Sequence, residues 1–278
     1  MPATPRRLPP INYDQIRTAA AIERRRAIDE FYRAIYGRIR SAVRRLFSTL
    51  LPFRANPRAM ALDIKICGLK TDKALAAALA GGASHVGFIF FAKSPRFIDP
   101  LEAGRLREAA IAKAKAVAVT VDASDAFLDE IVGKMRPDML QLHGSETPER
   151  LAELKARYGL PVMKVLPISE AADLERIRPF VGIADRFLFD AKPPKGSELP
   201  GGNGIAFDWR ILAGLDAGVD YMLSGGLNAA NIGDALRLAN PPAIDISSGV
   251  ESAPGVKDPA LIEQFFRAVR AARNTRAA

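Results

Sequence analysis

The chain has 278 residues, 49% of them hydrophobic and 26% charged, an ordinary soluble globular balance. Its longest apolar stretch near the N-terminus, Leu46 to Phe53, is broken by Ser, Thr and Pro and is too short to cross a bilayer. Cys67 is the one cysteine, which excludes an internal disulfide framework and any multi-cysteine metal site. The first residues lack the apolar core and small-residue cleavage site of a secretory signal, so the expected location is the cytoplasm.

A formal charge of +9 would favour a nucleic-acid or membrane partner, were it spread over the chain. It is not. Residues 1–59 hold 13 Arg, no Lys and four acids, which accounts for the whole surplus. The rest is charge-neutral, and no nucleic-acid partner is expected. Within the basic segment Ile28, Phe31, Tyr32, Ile35, Ile39, Val43, Leu46 and Leu50 recur at three- and four-residue steps, predicting an amphipathic helix closed by Pro52 and Pro57. Two readings stand. Either an appended helix could lie on an anionic membrane or in a partner groove, or the protein begins at Met60 and the upstream stretch is unrelated to it. The domain division is therefore 1–59 and 60–278.

From Leu62 the texture becomes regular. Strands are predicted at Leu62–Cys67, Ser84–Phe90, Ala116–Val121, Asp138–Leu142, Pro161–Leu166, Asp185–Phe189, Asp220–Leu223 and Ala243–Ile246. Helices are predicted between and after them, near 71–80, 100–113, 125–135, 147–158, 169–179, 208–214, 228–238 and 258–273. Thr147-Pro148 and Asp258-Pro259 are helix starts, a capping side chain followed by proline at the first helical position. The strands are near-continuous apolar runs, as expected when helices cover the sheet. Eight strand–helix pairs in about 219 residues predict a single α/β domain, a (β/α)8 barrel.

In such barrels the site forms at the C-terminal ends of the strands. Cys67 ends the first predicted strand, Arg96 follows the second, Asp122 the third and His143 the fourth. Asp190 follows the sixth. Ser224-Gly225-Gly226 and Ser247-Ser248-Gly249 follow the last two, where backbone N–H groups of glycine-rich turns can hold a phosphate. A third glycine loop, with Gly202, Asn203 and Gly204, could close over the same place. Taken singly, Cys67 is more often a small buried hydrophobe, His143 a turn residue and Asp190 a solvated carboxylate. Read functionally, Lys65 points to the same face as Cys67 and its charge would make the thiol a usable base, while burial would make Asp190 a proton donor. The chain shows no His–acid metal cluster, no dinucleotide-binding glycine motif and no Walker loop.

At these residues the sequence closely resembles the phosphoribosylanthranilate isomerases of tryptophan biosynthesis. The likeness rests on ordered motifs: Lys65-Ile66-Cys67-Gly68-Leu69, Val86 to Phe90 through Ser94-Pro95-Arg96-Phe97-Ile98, Leu140-Gln141-Leu142-His143-Gly144 and Phe189-Asp190-Ala191-Lys192. Gly201 to Gly204 with Phe207-Asp208-Trp209, Leu223 to Leu227, and Asp245 through Glu251 complete the set. The resemblance implies an Amadori rearrangement of N-(5-phosphoribosyl)anthranilate without cofactor or metal. It makes Cys67 the general base at sugar C2, Asp190 the general acid that opens the ring, and Arg96 the ligand of the anthranilate carboxylate. The glycine loops would hold the phosphate, with His143 and Asp245 also in the site. Asn203 stands where the family usually has Ser or Thr. Monomers and homodimers both occur in the family. The rivals are a phosphate-binding barrel of histidine synthesis working with two aspartates, and a membrane-peripheral or partner-binding protein built on the basic helix.

Overall fold

The computed structural model describes residues 62–193, 196, 201–202, 204, 206–216 and 218–277, with side chains described to residue 274. The chain divides into units 1–61 and 62–278. The expected basic helix, the junction at Met60 and Asn203 lie outside the described residues.

Eight parallel strands close into a barrel in chain order: β1 (Asp63–Cys67), β2 (His85–Phe90), β3 (Lys115–Thr120), β4 (Met139–Leu142), β5 (Val162–Ile168), β6 (Arg186–Ala191), β7 (Tyr221–Leu223) and β8 (Ala243–Ile246). Closure is made by β1 against β8, with Lys65 level with Asp245. Around them lie α1 (Asp72–Gly81), α2 (Pro100–Ala110), α3 (Asp125–Met135), α4 (Pro148–Tyr158), α5 (Ile232–Ala239) and α6 (Pro259–Ala277). The predicted helices after β5 and β6 are 3₁₀ helices, Ala171–Phe180 and Trp209–Gly214. Pro179 in the first withholds a backbone N–H. No helix among the described residues is long and apolar enough to cross a membrane.

The predicted starts are present: Thr147 Oγ1 accepts from Arg150 N–H, and Asp258 Oδ1 from Ala260 N–H. Other boundaries move. The helix after β2 stops at Ala110, and Ala112 turns into the left-handed region. The one after β7 begins only at Ile232, because the Asn228 side chain accepts from Ala230 and Asn231 N–H and holds that stretch as a turn. A short hairpin not read from the sequence, β9 (Glu251–Ala253) with β10 (Val256–Lys257), follows β8.

Alternation along each strand separates two cores. Ile64, Ile66, Phe88, Leu140, Phe189 and Ile246 face the helices, while Cys67, Val119, Met139, Met163, Leu188 and Met222 fill the barrel. The inward positions nearest the C-terminal rim therefore include Cys67, Gln141, Asp190 and Asp245.

Two glycines inside helices test this packing. A Cβ on Gly104 of α2 would stand 2.5 Å from the Lys134 carbonyl oxygen, whereas one on Gly133 of α3 meets nothing within 4 Å. Gly104→Ala is expected to destabilise by about 1–3 kcal/mol through overpacking. Gly133→Ala is expected to stabilise by about 0.5–1 kcal/mol through helix propensity. Urea unfolding of the two variants checks both signs.

Candidate active site

A cleft of about 810 Å3 opens at the C-terminal rim. It is lined by Cys67, Arg96, His143, Asp190, Gly202, Gly204, Ser224, Gly225, Gly226, Asp245, Ser247 and Ser248. These are the expected site residues except Asn203, outside the described residues, and Gly249. Gly249 does not line the cleft; a Cβ there would fall 1.9 Å from the Leu227 carbonyl oxygen, so its absence lets the turn after β8 rest on the turn after β7. Asp122 lies away from the cleft and accepts from Ser145 N–H.

The floor is polar and closed to solvent. Lys65 has no exposed surface, and its ammonium donates to Asp245 Oδ1 at 2.9 Å. Burial alone would push the Lys65 ammonium down, but the Asp245 carboxylate, and Cys67 once ionised, outweigh it and its pKa is raised. Cys67 shares that space. A Cβ on Gly87 would be 2.9 Å from Cys67 Sγ and 3.1 Å from Lys65 Nζ, so β2 needs a glycine where both side chains converge. The Cys67 thiol does not behave as the sequence suggested. Burial pushes its pKa up, Asp245 adds to that, and the opposing charges of Lys65 and Lys257 do not offset them. At rest Cys67 is a neutral thiol beside a cation.

Asp190 sits within β6 and not after it, with only 6% exposure. Burial, then repulsion from Asp245, raise its carboxyl pKa to about 7. Ala191 N–H donates to Oδ1 at 3.0 Å, and His143 Nε2 lies 3.6 Å from Oδ2. Gly201 closes over the pair, since a Cβ there would be 2.5 Å from Asp190 Oδ2 and 2.7 Å from His143 Cε1. A carboxylic acid that holds its proton near neutrality is a proton donor in waiting.

Arg96 reaches the opposite wall. Its Nε and Nη2 donate to the two carboxylate oxygens of Glu251 at 2.8 and 2.9 Å, and Nη2 also reaches the Gly202 carbonyl oxygen at 3.4 Å. The guanidinium is thus engaged along its Nε–Nη2 edge, which leaves Nη1 for a ligand. The glycine turns present backbone. Gly225 and Gly226 have φ of 90° and 63°, which L side chains rarely adopt, and a Cβ on Gly225 would strike Ala191 N at 2.6 Å.

Residues 64–268 match the family described as N-(5'-phosphoribosyl)anthranilate (PRA) isomerase. The chain belongs to this family. An N-(5'-phosphoribosyl)anthranilate isomerase of Mesorhizobium japonicum is 89% identical over 219 residues, covering 79% of this chain and all of the relative. The Thermotoga maritima isomerase structure is 30% identical with a TM-score of 0.68, covering 76% of this chain and 100% of that one. A further isomerase structure, 28% identical with a TM-score of 0.66 and the same coverage, is a complex with reduced 1-(o-carboxyphenylamino)-1-deoxyribulose 5-phosphate.

Beyond the residues that gave the family resemblance its roles, the fold adds three groups. Gln141 is 1% exposed, lines the cleft, and has no hydrogen-bond partner for its Oε1 among the described residues. Glu251 and Lys257 are buried behind Arg96. Gln141 and Glu251 stood inside motifs without a role. Lys257 had no signal, because a hairpin of two short strands brings it back to the rim.

The buried acid of this isomerase fold carries a stability cost with a defined sign. Its folded pKa is raised, so its contribution is intact below the ordinary carboxyl range and is lost as pH rises towards and through about 7. Asp190→Asn is expected to raise the melting temperature over the parent progressively more from pH 4 to pH 8. A difference that shrinks over that range contradicts the burial account.

Proposed function

We propose that this cleft carries out the isomerase reaction of its family, the Amadori rearrangement of N-(5-phosphoribosyl)anthranilate to 1-(2-carboxyphenylamino)-1-deoxyribulose 5-phosphate in tryptophan biosynthesis. One observation carries the chemistry: a buried carboxyl titrating at about 7 and a buried thiol beside a cation line the same cavity. Asp190 gives its proton to the ring oxygen as the C1–O bond breaks, and the nitrogen lone pair closes a C1=N bond. Cys67, as thiolate, then takes the C2 proton; the C–H electrons form C1=C2 and neutralise the nitrogen. Loss of the enol O–H proton with protonation at C1 yields the ketone. Lys65 faces the thiolate while it exists, and Asp245 keeps Lys65 in place.

The remaining surfaces divide the substrate. Arg96 suits the anthranilate carboxylate, since a guanidinium gives a planar, charge-assisted contact. The turns at Gly225-Gly226 and Ser247-Ser248, with Gly202 and Gly204 opposite, suit the phosphate through backbone N–H groups. Asn203 belongs to that loop. His143 backs Asp190. The orphaned Gln141 oxygen suits a substrate N–H or O–H, because an acceptor left buried and unpaired costs about 1–3 kcal/mol. These groups are all the chain's own, and the scheme draws on no cofactor. The family match and the fully covered relative support residues 60–278 as the catalytic unit. A chain begun at Met60 is expected to turn over N-(5-phosphoribosyl)anthranilate with unchanged kcat.

Substitutions separate these assignments. Cys67→Ala should lower kcat by about 10²–10⁴-fold with little change in KM; near-normal turnover would remove the base assignment. Arg96→Ala should weaken binding of the reduced product analogue by about 1.5–3 kcal/mol while inorganic phosphate inhibits as before. Gly226→Val should do the reverse, since a φ of 63° disfavours a branched side chain. Loss of phosphate inhibition in Arg96→Ala, with analogue binding kept, would invert the substrate orientation.

A further inference from the structure

The guanidinium of Arg96 is already neutralised. Its Nε and Nη2 are held by Glu251, and the side chains of the two residues are 6% and 4% exposed. An arginine locked onto a buried carboxylate is a poor receptor for a second one, because the pair has no net charge and the second carboxylate meets the first. The geometry resolves this with a third residue.

Lys257, 2% exposed at its side chain, donates to the same Glu251 oxygen that Arg96 Nε uses. It also donates to the Ser247 carbonyl oxygen at 3.0 Å and to Ser247 Oγ at 3.2 Å. Three acceptors meet the three N–H groups of an ammonium; burial pushes the Lys257 pKa down, and the charge and hydrogen bond of Glu251 oppose that. Glu251 in turn receives four donors: Arg96 Nε and Nη2, Lys257 Nζ, and Gly255 N–H at 3.2 Å. Burial pushes the Glu251 carboxyl up, but the Arg96 hydrogen bond and the Lys257 charge hold it below the ordinary range, so it is a carboxylate. The cluster therefore holds two cations and one anion.

The hairpin β9–β10 exists to assemble it. Lys257 lies in register with Glu251, and a Cβ on Gly255 would be 2.4 Å from the Pro95 carbonyl oxygen, so the hairpin tip abuts the loop that carries Arg96. On its other side Ser247 Oγ donates to the Cys67 carbonyl oxygen at 3.2 Å, fixing the cluster to the end of β1.

We propose that Lys257 is a positioning residue for the carboxylate end of the substrate, holding Glu251 against Arg96 and supplying the net positive charge that the substrate carboxylate neutralises. Lys257 does not line the cleft and acts through Glu251 and Arg96. The inference rests on Arg96 as the carboxylate clamp.

The test compares Lys257→Met, Lys257→Arg, Glu251→Gln and the double variant Lys257→Met/Glu251→Gln. The probes are the reduced product analogue, inorganic phosphate and turnover. Lys257→Met leaves the cluster neutral, so analogue affinity and KM should worsen by about ten- to a hundredfold, the range of a charged hydrogen bond, with kcat changed less. Phosphate inhibition should change by no more than a few fold, the part due to the lost contacts with Ser247, and Lys257→Arg should retain affinity. Removing the Glu251 charge as well restores one net cation, so the double variant should recover to within a few fold of the parent. It leaves no unpaired buried carboxylate, so it remains informative if Lys257→Met alone does not fold. A purely structural lysine gives the opposite order, with the double variant worse than Lys257→Met or Glu251→Gln. That order, or a Lys257→Met that binds the analogue like the parent while Arg96→Ala does not, overturns the proposal. An Arg96→Ala variant that binds like the parent overturns the clamp, and this inference with it.

Discussion

Lys65 is a cation inside the barrel with no path to water, and the site is arranged around keeping it there. An unpaired buried ammonium would shed its proton; Asp245, 2.9 Å away on the neighbouring strand, prevents that. The pair fixes the register of β1 against β8, the seam that closes the barrel. It also fixes what its neighbours can be. Gly87 has no side chain because Lys65 and Cys67 fill the space a Cβ would need. Asp190 faces the Asp245 charge in a dry setting and so holds its proton to about 7. Cys67 stands beside the cation that its thiolate will need, yet burial keeps it a thiol until then.

At rest the base is thus in its less reactive form, a thiol, while the acid holds its proton only up to about pH 7. The carboxyl loses its proton at a lower pH than the thiol does, so the productive form, protonated Asp190 with ionised Cys67, is a minor fraction of the enzyme. A site of this kind gains when the substrate excludes water and brings its own charges. In the proposed arrangement the substrate carboxylate meets the Arg96–Glu251–Lys257 cluster and the phosphate meets uncharged backbone turns, with Gly202 touching Arg96 and Ser247 touching Lys257 where the two regions adjoin.

Much of this was legible in the sequence for a geometric reason. A parallel barrel maps every strand's C-terminal end onto one rim, so reading the strand ends alone collects Cys67, Asp190 and the two serine–glycine turns. What was not legible depends on three-dimensional balance. Proximity of Lys65 to Cys67 pointed to a lowered thiol, but burial outweighs it. Asp190 looked like a loop residue because β5 and β6 pair two residues further than their apolar runs. The packing of Gly249 against Leu227 had no signal in the sequence, because it depends on how closely two turns approach. Lys257 carries no motif signal, since its position comes from a hairpin two residues wide.

The central claim, that a carboxyl held protonated to about pH 7 by burial drives ring opening, is tested most directly by the pH dependence of kcat/KM, which reports the free enzyme. The parent should show a rising limb that levels near 7, followed by a plateau and a fall at the higher pH where the thiol ionises. In Asp190→Asn, whose residual turnover is low but measurable, the break near 7 should vanish and activity should rise on to the thiol limb. A break near 7 that survives unchanged in Asp190→Asn would assign it to another group and contradict the account.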